Sequence, residues 1–213
     1  MHKNSNVAID RVKKRGENKM KNIFKKAAVS VATLGLVVSA FGATNYVEAA
    51  GPTITGGSLS MTPSTVGVEA FSAVTLDGAT KYSYSKINNF TVSDSTGSGL
   101  GWHVKVKADQ FKLVGGTDID SNKLPLHSLS LESLATVTAQ DTESMDPAGN
   151  INKLSGFIDS SDGVEILSAP VDEGMGTYDV SFAEESLKLT LLPKHVKAGT
   201  YESTITVSIT SGP

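Results

Sequence analysis

Cysteine is absent from all 213 residues. That one absence removes disulfide frameworks, thiolate-bound zinc, iron–sulfur clusters, thiol nucleophiles and a lipidated N-terminal Cys. Arginine is nearly absent as well, with Arg11 and Arg15 the only two. Residues 50–213 therefore hold ten Lys and no Arg against nineteen Asp and Glu, a balance of −9 hidden within the overall −3. Binding to a phosphate backbone draws on clustered cations that release counterions, so an acidic body of this kind is a poor partner for nucleic acid. Aromatics make up 6% of the chain and include one tryptophan, Trp102.

Long apolar runs are limited to one, Ala27 to Ala43, and its seventeen residues fall short of the roughly 20 that span a bilayer. Lys21, Lys25 and Lys26 precede it, and Val47-Glu48-Ala49-Ala50 follows with small residues that suit signal peptidase. Residues 1–49 read as a signal peptide cleaved after Ala49, leaving no membrane span in the mature form. Residues 1–19 form a polar prelude, and Met20-Lys21-Asn22 by itself opens a normal signal peptide, which makes Met20 a candidate start. Lys14-Arg15-Gly16-Glu17 is what a purine-rich ribosome-binding sequence would encode if translated in frame.

What remains, residues 50–213, is of single-domain size and has a period of 2 wherever a period is clear. Trp102, Val104, Val106 and Ala108 alternate with His103, Lys105 and Lys107. Tyr201, Ile205, Val207 and Ile209 alternate with Glu202, Thr204, Thr206, Ser208 and Thr210. Both read as half-buried antiparallel strands. Further strands are expected at Gly57 to Thr62, Phe71 to Leu76, Tyr82 to Ser85, Phe90 to Ser93, Gln110 to Val114, Leu134 to Thr138, Gly163 to Ser168, Thr177 to Phe182 and Leu187 to Leu191. Asp77-Gly78, Asp94-Ser95-Thr96-Gly97, Gly115-Gly116 and Asp162-Gly163 supply turns between them. His127 to Thr136 fits helix or strand, and Asp141 to Lys153 reads as a long surface loop. The fold class is all-β: a single antiparallel β-sandwich domain with long surface loops.

No constellation with catalytic spacing emerges. His103, His127 and His195 lack the short spacings of metal ligands, and HExxH is missing. Asp118-x-Asp120-x-Asn122 opens like a calcium loop, but Lys123 and Leu129 stand where Gly and Glu are needed. Asp159 and Asp162 read as a solvated turn. GxSxG is missing, as is SxxK in the exported body. Gly97-Ser98-Gly99-Leu100-Gly101 precedes a strand and so lacks the helix N-terminus of a phosphate loop. Asn89-Phe90-Thr91 matches a glycosylation sequon, a pattern frequent by chance. No cofactor, metal or catalytic residue is expected. The closing Ser211-Gly212-Pro213 carries no LPxTG-like signal, so retention at a cell surface is expected to be noncovalent.

Phe90-Thr91-Val92-Ser93-Asp94, continuing through Gly97 and Gly101 to Trp102-His103-Val104, resembles the proximal signature of WxL-domain proteins of Gram-positive bacteria. In that signature an Asp-containing turn and a Gly precede Trp-x-Leu. Leu191-Leu192-Pro193, Ala198-Gly199-Thr200-Tyr201 and the strand closing at Pro213 are similar to the family's distal end. The resemblance runs from about Leu59 to Pro213. It departs mildly at Trp102-His103-Val104 and strongly at the distal Trp-x-Leu, here Val207-Ser208-Ile209.

The resemblance implies a secreted β-rich domain held noncovalently at the cell wall, with peptidoglycan or an associated wall polymer as receptor and other surface proteins as companions. Trp102, His103, Val104, Val207, Ser208 and Ile209 are the wall-binding or signature positions it carries over. Alternation with Val104 and Val106 favours Trp102 as a core plug over an exposed sugar-stacking platform. In that case contacts fall to nearby loops or to His103 and Lys105 on the opposite face. The alternative function is a structural or partner-binding subunit of a surface complex, through an exposed edge at Leu59 to Thr62 or Ile205 to Ile209. A secreted hydrolase is disfavoured by the lack of any motif with catalytic spacing.

Overall fold

A computed structural model describes residues 51–212. The signal-peptide reading of residues 1–49, with Met20 as start, lies outside them. Fourteen strands follow in chain order: β1 (Leu59–Thr62), β2 (Lys81–Ser85), β3 (Phe90–Asp94), β4 (Trp102–Ala108), β5 (Lys112–Leu113), β6 (Leu129–Leu131), β7 (Thr136–Ala139), β8 (Asn152–Lys153), β9 (Gly156–Phe157), β10 (Val164–Ala169), β11 (Gly176–Ser181), β12 (Leu187–Leu191), β13 (Tyr201–Glu202) and β14 (Ile205–Ser211). Helical structure among the described residues is limited to 3-10 turns at Asp120–Asn122 and Ala148–Asn150. The all-β expectation holds.

Every strand pairing is antiparallel. Three four-stranded sheets run β1-β3-β11-β7, β14-β4-β10-β8 and β2-β12-β6-β9, with a ribbon β13-β5. Two of these sheets share their chains. β2 leads into β3 through residues 86–89, β6 into β7 through 132–135, and β11 into β12 through 182–186. The strand order is the same on both sides, so three long strands cross a common bend. Ser186 holds the bend where its carbonyl accepts the Glu132 N–H at 2.8 Å. The third sheet closes the sandwich: Trp102 on β4 packs against Tyr178 on β11, ring centroids 6.2 Å apart. Apolar side chains from both layers, including Val92, Val104, Val106, Ile166 and Leu187, fill one buried core.

Period-2 patterning places β4 and, from Ile205 on, β14 as expected, because each has one apolar and one polar face, whereas Tyr201, expected on the same strand as Ile205, stands on the separate strand β13 paired with β5. On β10 a bulge between Glu165 and Leu167 interrupts the alternation, so that Ile166 and Leu167 are both buried. Phe71 to Leu76 departs from expectation. Only Ser72 joins β2, its N–H donating to the Tyr84 carbonyl at 3.1 Å, and the chain then leaves the sheet. Leu134 is likewise outside a strand, exposed in the bend between β6 and β7. Leu129–Leu131 resolves the helix-or-strand ambiguity as strand β6.

Candidate functional site

The Asp94 to Trp102 segment is a chain of local necessities. Asp94 is buried, and its Oδ1 accepts the Thr96 N–H at 2.9 Å and the Thr96 hydroxyl at 2.7 Å, a turn that starts the glycine-rich loop. The loop ends at Gly101, whose φ of 73° is open to glycine and costly for other residues. A Cβ there would lie 2.3 Å from the Ala169 carbonyl oxygen. Gly101 thus lets the backbone press against the loop after β10, and the next residue, Trp102, enters the core with no exposed surface.

The ring of Trp102 organises that end of the core. Its Nε1–H donates to the Gly174 carbonyl at 2.9 Å, and a Cβ on Gly174 would come within 2.7 Å of Nε1. The Tyr178 hydroxyl beside it lies 2.9 Å from the carbonyl oxygens of both Asp146 and Met175. Burial, reinforced by the charges of Asp146, Glu173 and Asp94, pushes the Tyr178 hydroxyl up to about 12, so it stays protonated and remains a donor. The Met145 sulfur accepts the Thr177 N–H at 3.2 Å. The expected long surface loop at Asp141 to Lys153 is therefore latched beneath Tyr178 at Met145 and Asp146, and ends in β8.

The two signature stretches lie side by side. Val207 pairs with Val106, Ser208 with Lys105, and Ile209 with Val104. Val104 and Val207 point into the core with Trp102, and Ile209 packs half-buried at its margin. His103 and Ser208 face outward, with the His103 Nδ1–H donating to the Gly212 carbonyl at 2.9 Å. Of the six signature positions, only these two offer a polar side chain to solvent. Lys105 and Lys107 lie on the same outer face, opposite Ser208 and Thr206. The distal Ala198-Gly199-Thr200-Tyr201 lies elsewhere, along an apolar groove of about 740 Å3 that also borders Phe71 to Leu76.

The WxL family model, described as a surface cell wall-binding domain, matches residues 49–213. The chain belongs to the WxL family. No curated protein and no solved structure matches it significantly. WxL membership places the protein at the cell surface, associated with the cell wall. Trp102 is fully buried, as the alternation with Val104 and Val106 predicts. Sequence reasoning missed Gly174, Tyr178 and Asp146, its partners in the latch. They lie far along the chain, and only the glycine spacing Gly174-Met175-Gly176 hints at close approach.

Proposed function

We infer that this WxL domain binds peptidoglycan noncovalently and carries out no catalysis. The observation that carries the reading is the family match over residues 49–213. It is supported by the lack of any catalytic motif in the sequence. The signature contributes to binding through architecture: Trp102, Val104 and Val207 build the core, and Ile209 closes its margin. The decisive experiment is sedimentation of the purified protein with cell walls, before and after chemical removal of anionic wall polymers. Peptidoglycan as receptor requires that binding survive the removal. Loss of binding on removal assigns the receptor to the anionic polymer instead.

A second reading, a partner-binding subunit within a surface complex, is favoured by the edge of β14. The Thr204 carbonyl accepts from Asp109, and the Gly212 N–H donates to Gly101, so even-numbered residues bond towards β4. The backbone groups of Ile205, Val207, Ile209 and Ser211 therefore point away from the sheet. β14 is an end strand with no charged residue and no proline, an edge suited to accepting another extended chain.

A further inference from the structure

Strand β2, Lys81-Tyr82-Ser83-Tyr84-Ser85, is inside out. Hydropathy would bury the tyrosines, yet Ser83 and Ser85 are 3% and 7% exposed whereas Tyr82 is 48% exposed. The inversion is held by dedicated bonds: the Ser83 hydroxyl donates to the Ser72 carbonyl and the Ser85 hydroxyl to the Glu69 carbonyl, each at 2.6 Å. Neither tyrosine hydroxyl bonds another of the described residues. A fold that buries satisfied serines in order to present aromatic rings to water breaks its own local rule. Such violations concentrate at functional surfaces.

The opposite end of the same sheet face is also aromatic. The pairing register aligns Tyr84, Lys188, Ser130 and Phe157 in one row across β2-β12-β6-β9. Three strand spacings put Tyr84 and Phe157 about 14 Å apart. Phe157 is 49% exposed and packs on His127, centroids 5.1 Å apart. His127 itself has φ of 64°, a strained backbone for a residue with a side chain. Between the two aromatic ends lies a neutral polar bar, the Lys188 ammonium 2.7 Å from Glu132 and 5.6 Å from the centre of the Tyr82 ring.

We propose that this face of the β2-β12-β6-β9 sheet is the wall-contacting surface, and that it takes the neutral glycan backbone of peptidoglycan, an extended chain of β-linked amino sugars. The proposal rests on the peptidoglycan reading above. Tyr and Phe rings meet the C–H faces of pyranose rings, and Lys188 and Glu132 meet their hydroxyl and amide groups. Charge supports a neutral occupant. Lys188 and Glu132 cancel on the face itself, and the acidic body around it repels a polyanion.

The test compares the wild-type protein with Tyr82→Ala/Tyr84→Ala and with Phe157→Ala. The readouts are sedimentation with walls stripped of anionic polymers and competition by soluble oligomers of β-linked N-acetylglucosamine. Each aromatic variant should keep its denaturation midpoint and lose about tenfold or more in affinity. Tyr82→Phe/Tyr84→Phe should retain most of the binding, and Val171→Ser, an exposed apolar residue elsewhere, should retain all of it. Stripped walls that bind the wild type and the alanine variants equally overturn the platform while leaving peptidoglycan binding standing. Wild-type protein that binds neither intact nor stripped walls overturns the peptidoglycan reading itself. Binding to intact walls alone, or alanine variants that lose a protein partner and keep the stripped wall, overturns the glycan assignment.

Discussion

Trp102 and Val207 both belong to the buried core. Truncating Trp102 to Ala should destabilise the domain by about 3 to 5 kcal/mol, because the ring has no exposed surface and its removal leaves a large cavity. Denaturation followed by circular dichroism checks the magnitude, and an unchanged midpoint would contradict the core role. Val207, which the resemblance sets at the distal Trp-x-Leu position, is 8% exposed and faces Val106 across the strand pair. Val207→Trp should therefore overpack the core, costing about 1 to 3 kcal/mol with no gain in wall affinity. Denaturation and sedimentation on the one variant separate overpacking from a restored contact.

Asp159 carries a different residue-scale consequence. Its carboxylate is buried, accepts the N–H groups of Ser128 and Leu129 on Oδ2 at 2.8 and 3.1 Å, and has no partner on Oδ1. Burial raises its pKa above the ordinary value against those two bonds. The folded state thus holds the proton more tightly than the unfolded chain. The stability this contributes is present in acid and lost as pH rises from the ordinary carboxylate value, about 4, through the folded one. The amide oxygen of an asparagine side chain in its place keeps both backbone bonds and carries no charge. Asp159→Asn should gain stability relative to wild type as the pH of the denaturation series is raised from about 4 to 7. A constant difference across the series would show that burial of this charge is not what matters.

At the scale of elements, legibility followed the match between hydropathy and facing. β4 and β14 have clean alternation with the apolar residues inward, and both were readable. β2 alternates as cleanly but faces the other way, because Ser83 and Ser85 find carbonyls on a segment eleven or more residues upstream. No periodicity reveals that. β8 and β9, two residues each, are too short to carry any period, and Phe71 to Leu76 has strand composition but leaves the sheet after Ser72. The loops that close over Trp102 depend on glycine. Gly174→Ala combines φ of 78° with contacts of 2.4 Å to the Ala169 Cβ, and should cost at least about 2 kcal/mol by thermal denaturation. The free edge of β14 is open to a milder probe. The Ser211 N–H points away from β4, so Ser211→Pro should leave the denaturation midpoint unchanged and abolish any self-association or partner capture through that edge. Size-exclusion and pull-down measurements read the outcome.

For the molecule as a whole, the balance of −9 bears on the character of the wall interaction. A glycan platform of rings and one neutral ion pair releases few counterions. Wall binding should therefore change little between about 50 and 200 mM salt, whereas attachment through Lys105 and Lys107 to an anionic polymer would weaken steeply. The lack of cysteine throughout, and of arginine after Arg15, was legible in the sequence at once. The sequence did not declare the platform, whose residues come from β2, β12, β6 and β9 and meet only through the register of folded strands.

Both ends of the described sandwich emerge at one pole. Leu59 at the start of β1 sits opposite Asp94, and Ser211 at the end of β14 sits opposite Trp102, which the glycine-rich loop ties back to Asp94. The aromatic face lies past the common bend, on the far half of the same three strands. Leu59 and Ser211 thus lie at the pole opposite the aromatic face proposed to contact the wall. If that face holds the wall, a bulky fluorescent cargo fused after Ser211 should leave sedimentation with cell walls unchanged.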